Sequence, residues 1–127
     1  MAPNEDSATK LTALVVDDDR QVRMIHQWML NKVGVKNQAA ENGKEAVQIH
    51  CSGQGFDLIL MDKEMPLMNG IEATKELRSM GICSKIVGVS SHSEEKQIQE
   101  FMEAGLDDYL VKPLNMAKLR SILDNIM

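Results

Sequence analysis

Two kinds of apolar segment alternate along the chain. Leu11 to Val16, Leu58 to Met61, Ile86 to Val89 and Tyr109 to Val111 are short and almost wholly apolar. They read as strands buried on both faces, and Val35 to Ala40 is a weaker candidate of the same kind. Between them, apolar residues recur at helical spacing. Val22, Ile25, Trp28 with Met29, and Val33 predict one face of a helix from about Asp19 to Lys32, ending before Gly34. Ala46, Val47 and Ile49 predict a second helix from near Asn42. Ile71, Thr74, Lys75, Leu77 and Arg78 predict a third that stops before Gly81. Ile98, Phe101 and Met102 mark a fourth, capped by Ser93 with acids following, and ended near Gly105. Met116, Leu119, Ile122, Leu123 and Ile126 mark the last, which runs to the C-terminus.

Five strands alternating with five helices predict an α/β domain around a parallel sheet. Such sheets bind ligands beyond the carboxyl ends of their strands. There the chain carries Asp17, Asp18 and Asp19 after the first strand, Asp62 after the third, Ser90 and Ser91 at the fourth, and Lys112 after the fifth. Taken alone, the three consecutive acids read as a turn and a helix cap. Asp62 is harder to explain that way, because Pro66 and Gly70 already supply turn chemistry. Two carboxylates about 5 Å apart repel by roughly 3 kcal/mol at an effective dielectric near 20. Lys112 is too little to balance three of them. A hard divalent cation such as Mg²⁺, which takes all-oxygen ligands, completes the balance.

Composition narrows the picture. Lys and Arg total 14 against 19 Asp and Glu, a formal charge of −5, which argues against a nucleic-acid binder. No apolar run is long enough to span a membrane, and MAPNEDSATK lacks the apolar core of a signal peptide, so an intracellular protein is expected. Residues 1–10 are expected to form a flexible lead-in, and residues 11–127 a single domain. Cys51 and Cys83 suggest neither a disulfide framework nor a zinc site and are expected to be small buried residues. Trp28 is expected to pack against a neighbouring element, His26 and His50 to lie on helix surfaces, and most of the ten methionines to fill core gaps or cover helix faces.

The stretches LVVDDD (14–19), LILMDKEMPLMNG (58–70), IVGVSSHS (86–93) and YLVKPL (109–114), in this order, resemble the receiver domains of two-component response regulators. The resemblance covers residues 11–127. It implies the flavodoxin-like receiver fold, a doubly wound five-stranded parallel sheet of order 2-1-3-4-5 flanked by five helices. That order comes from the resemblance and not from the apolar pattern. It also implies that Asp62 is the nucleophile and phosphorylation site, and that Asp17, Asp18, Asp62 and the backbone carbonyl of Glu64 hold Mg²⁺. Lys112 would pair with a phosphoryl oxygen, across a Lys112–Pro113 bond that is commonly cis. Ser90 would bond the phosphoryl group and Tyr109 turn inward with it. Glu64 and His92 would tune access of water, and so the lifetime of the phosphorylated state. Ser91 stands where many receivers carry Ala, and no role is assigned to it. Such a domain is a signalling phosphoacceptor that catalyses its own phosphorylation and dephosphorylation.

MDKEMPLMNG, LRSMG and IVGVSS narrow the resemblance to stand-alone plant type-C response regulators. This implies a histidine-containing phosphotransfer protein as donor, a role in cytokinin-type phosphorelay, and a monomer in the cytoplasm and also the nucleus. The chain would act as a phosphate sink or, alternatively, as an adaptor or pseudo-receiver that binds protein without significant phosphate turnover. The partner-binding face would be the fourth strand, fourth helix and fifth strand. A phosphatase of the haloacid dehalogenase type would instead use Asp17 and Asp19 as its D-x-D pair. Gln21 departs from that motif, and Asp62 and the Val-Lys-Pro segment are then unexplained.

Overall fold

The computed structural model describes residues 11–126, so the expected lead-in over residues 1–10 lies outside the described residues, as does Met127. In chain order the elements are β1 (Thr12–Val16), α1 (Arg20–Lys32), β2 (Lys36–Ala40), α2 (Gly43–Cys51), β3 (Leu58–Met61), α3 (Gly70–Ser79), β4 (Lys85–Ser90), α4 (Glu95–Glu103), β5 (Asp108–Val111) and α5 (Met116–Ile126). The strands form one parallel sheet of order β2-β1-β3-β4-β5. This is the fold the resemblance implied.

Alternate residues of each central strand feed opposite faces of the sheet. On one face Ala13, Val15, Leu58, Leu60, Val87 and Val89 pack with Leu30 of α1 and Leu119, Ile122 and Leu123 of α5. On the other, Leu14, Val16, Ile59, Met61 and Ile86 pack with Ala46 of α2, Ala73 and Leu77 of α3 and Phe101 of α4. Full burial stabilises each large apolar side chain by about 1.5–3 kcal/mol. Both faces are covered, which is why the central strands read as unbroken apolar runs. The edge strand β5 is only half-buried or exposed, contrary to the expectation of burial on both faces.

The helix ends follow local chemistry. Asp19 caps α1 by accepting from the Gln21 and Val22 N–H groups, and Asn42 caps α2 through the Glu45 N–H. Asn69 and Glu72 form a reciprocal capping box at α3. At α4 the expectation fails. The capping position is Glu94, not Ser93, and no side chain caps it.

The inward face of α1 also differs from the predicted stripe. His26 and Leu30 are its buried residues, while Ile25 and Trp28 are more than half exposed. Met29 and Val33 of the predicted stripe do pack against the core, so the true face overlaps the predicted one and is turned toward His26 and Leu30. Trp28, expected to pack against a neighbouring element, is instead exposed and carries the Lys32 ammonium of its own helix 5.5 Å from its ring centre. His50 is likewise buried, its Nδ1 paired with the Ala46 carbonyl at 2.8 Å and its ring edge-on to Phe56. Both cysteines are exposed, the opposite of the expectation. The methionine expectation fares better. Met61 is buried, and Met29, Met65, Met68, Met80 and Met102 pack against the two core faces.

Candidate functional site

The site begins with strand register. Val16 of β1 lies opposite Met61 of β3, and the Asp62 N–H donates to the Val16 carbonyl at 2.9 Å. The next residue on each strand is an aspartate, so Asp17 and Asp62 leave the sheet side by side. Both are buried, whereas Asp18 is exposed. One carboxylate oxygen from each of Asp17, Asp18 and Asp62 lies within 4.8 Å of the other two. A donor set of three carboxylate oxygens fits a hard divalent cation.

Lys112 follows β5, and its N–H donates to the Ser90 carbonyl at the end of β4. Its ammonium lies 2.9 Å from Asp17 Oδ2 and 3.2 Å from Asp62 Oδ1. The Lys112–Pro113 peptide bond is cis. Ser90 is buried at the end of β4, and its Oγ accepts from the His92 N–H at 3.4 Å. The Tyr109 hydroxyl donates to the His92 carbonyl at 2.5 Å, and its ring meets Phe101 edge-on. His92 Nδ1 is buried without a partner among the described residues. Glu64 and Ser91 are exposed at the rim.

Burial raises the Asp62 carboxyl, the Asp17 charge adds to that, and Lys112 opposes it; the result is a pKa of about 6. For Lys112, burial acts downward, but hydrogen bonds and charge from Asp17 and Asp62 outweigh it and hold the ammonium above its ordinary value. The pocket is therefore acidic, dry enough to resist a second carboxylate charge, and supplied with one cation. It favours a positively charged or strongly polarising guest.

Three residues of this neighbourhood were assigned no role at the site from the sequence. Gly70 is one: a Cβ there would stand 2.1 Å from the Asp62 carbonyl oxygen, so only glycine lets α3 start against the Asp62 loop. His26 is another, buried on α1 and lining a small apolar cavity with Val22, Ile25, Lys112, Pro113 and Leu114. Burial lowers its pKa, Asp17 opposes this and Lys112 adds to it. Lys63 is the third, a buried lysine directly after Asp62.

Comparison with known proteins decides the family. The family model for the response regulator receiver domain matches residues 13–124. The chain belongs to that family. This receiver is 58% identical over 118 residues to two-component response regulator 24 of Arabidopsis thaliana, covering 93% of this chain and 85% of that protein. It is 45% identical over 118 residues to two-component response regulator ARR22 of the same plant, covering 91% and 83% respectively. Among solved structures, response regulator protein TrrA of Thermotoga maritima, in complex with Mg²⁺-BeF, superposes with a TM-score of 0.81 at 31% identity. The match covers 92% of this chain and 99% of that one. Receiver domains of two-component systems accept phosphoryl groups from histidine kinases or phosphotransfer proteins. They use Mg²⁺ at an acidic pocket of the kind described above. Among the described residues, no helix is long and apolar enough to cross a membrane.

Proposed function

We propose that this receiver accepts a phosphoryl group on Asp62 from the phosphohistidine of a histidine-containing phosphotransfer protein, in a Mg²⁺-dependent phosphorelay. The observation that carries this reading is the three-carboxylate cluster bridged by Lys112 at the carboxyl edge of the sheet. Asp17, Asp18, Asp62 and the Glu64 backbone carbonyl are the groups that would hold Mg²⁺. When bound, Mg²⁺ supplies the positive charge that neutralises the carboxylates and the equatorial phosphoryl oxygens.

The rest of the chemistry belongs to the chain. An Asp62 carboxylate oxygen attacks phosphorus in line, the phosphorus–nitrogen bond breaks, and its electron pair returns to the donor imidazole. Lys112 then moves from its two carboxylate partners toward a phosphoryl oxygen. The Ser90 hydroxyl bonds a second oxygen, and Tyr109, already tied to the His92 carbonyl, follows that loop inward. Water later attacks the aspartyl phosphate, with Glu64 and His92, whose Nδ1 is without a partner among the described residues, controlling its approach. This gives a domain that catalyses its own phosphorylation and dephosphorylation.

Similarity to the two Arabidopsis two-component response regulators supports a plant phosphorelay. Within it, the reading extends to cytokinin-type signalling in cytoplasm and nucleus, with the chain acting as a phosphate sink. The alternative is an adaptor whose phosphorylated surface binds a partner. The test is to incubate the chain with Mg²⁺ and a phosphotransfer protein labelled on its histidine. Rapid loss of donor label with free phosphate released supports the sink. A long-lived phosphoprotein selects the adaptor, and failure to remove donor label contradicts the phosphoacceptor reading altogether.

A further inference from the structure

Lys63 directly follows the phosphoacceptor, yet it takes no part in the charge balance of the pocket, where Lys112 occupies both Asp17 and Asp62. Its backbone is tied to the start of α3, where the Lys63 carbonyl accepts from the Gly70 N–H at 2.8 Å. Its side chain is only 9% exposed. Lysine is rarely buried to that degree unless it is paired or its stem lies along apolar surface with the ammonium near water. Among the described residues, the carboxylate found within ion-pair range of its ammonium is that of Glu100 on α4, at 3.9 Å. That is a long contact, and the Glu100 side chain is 64% exposed.

The helix at the other end of this contact is lightly held. Phe101 is the buried residue of α4, and no side chain caps its N-terminus. One ion pair can therefore bias where α4 rests. A phosphoryl group on Asp62 would replace the single charge of its carboxylate with a phosphate of up to about −2, a net gain of about one negative charge at the residue next to Lys63. The ammonium, on a flexible four-carbon stem, then has a stronger anion to serve than a solvated glutamate.

We propose that Lys63 is a positioning residue that links the Asp62 loop to α4. Glu100 holds its ammonium toward the helix in the present state, and an anion at Asp62 draws the ammonium away and releases α4. The inference rests on the phosphoacceptor reading above and adds to it a regulatory contact. It makes the two partners act in opposite directions. Removing the Glu100 charge frees the ammonium for the anion, and removing the Lys63 charge takes away the cation itself.

The test titrates the chain with beryllofluoride, a phosphoryl mimic, in saturating Mg²⁺. Glu100→Gln is expected to tighten binding about two- to fivefold, the range of an exposed ion pair. Lys63→Met is expected to weaken it by a similar factor, and Lys63→Arg to restore it. In the Lys63→Met background Glu100→Gln is expected to have no effect. Glu103→Gln, on the same helix without this contact, controls for a general change of field and is expected to leave affinity unchanged. Glu100 is exposed, so Glu100→Gln alone is decisive if Lys63→Met does not fold: no tightening overturns the proposal. Equal tightening by Glu103→Gln, or tightening that persists without Lys63, overturns it too. If the unaltered chain binds no beryllofluoride, the phosphoacceptor reading falls and this inference with it.

Discussion

At Asp62, burial and the Asp17 charge push the acid up to about 6 against the pull of Lys112. A carboxyl whose folded pKa exceeds its unfolded value of about 3.9 favours the folded state when protonated. Its contribution to metal-free stability is therefore greatest below about pH 4, and declines as pH rises through about 6. Above that, the buried charge is a standing cost. Asp62→Asn removes it. In EDTA at pH 7.5, urea unfolding is expected to find Asp62→Asn more stable than the parent by about 1–3 kcal/mol. The gap should close toward pH 4; a less stable variant at pH 7.5 would refute this electrostatic account. At this scale the sequence was legible where chemistry and position coincided, as at Asp17, Asp62, Ser90 and Lys112. It was silent on Lys63 and His26, because nothing in a linear string marks a polar side chain that folds inward.

Elements are held by a second set of contacts at the opposite end of the sheet. Arg78, in the last turn of α3, donates to the carbonyls of Ile82, Ser84 and Gly105 and to the Asp107 carboxylate. It thereby fastens the α3–β4 and α4–β5 connections together. Gly105 sits at φ +125 with its missing Cβ 2.7 Å from the Arg78 side chain, so the arginine lies flat over the loop. Arg78→Ala leaves those carbonyls to water and is expected to cost about 1–3 kcal/mol in urea unfolding. Beryllofluoride affinity should stay within twofold of the parent, because the contacts lie away from Asp62; a large loss would show that the two ends are coupled. The helices were legible in outline, and their faces less so. In α1, the apolar pattern joined Ile25 and Trp28 to Met29 and Val33, whereas the face that packs on the sheet joins Met29 and Val33 to His26 and Leu30. Only the sheet decides which side turns inward. At α4, Ser93 looked like a cap because serine usually is one, but the helix starts one residue later.

For the whole molecule, the apolar pattern was enough for five strands and five helices. β1, β3 and β4 are covered on both faces and carry no alternation, while of the less buried edge strands β5 was still marked by a short apolar run and β2 more weakly. Strand order was not in that pattern and came from the resemblance to receivers. What the fold leaves to individual residues is the lifetime of the phosphoryl group. In the proposed function, Glu64 at the rim and His92, whose Nδ1 has no partner among the described residues, would govern how water reaches that group. Exchanging either for Ala is expected to change the dephosphorylation rate at least about threefold, followed by release of free phosphate, while leaving thermal stability nearly unchanged. An unchanged rate in both variants would remove them from that role.

The central claim is that Asp62 is the phosphorylated residue. The most direct measurement is to phosphorylate the chain from a labelled phosphohistidine donor in Mg²⁺, trap the acyl phosphate by borohydride reduction, and locate the modified residue by mass spectrometry. The modification is expected at Asp62, and Asp62→Asn is expected to take up no label. Modification at Asp17, or undiminished labelling of Asp62→Asn, would contradict it.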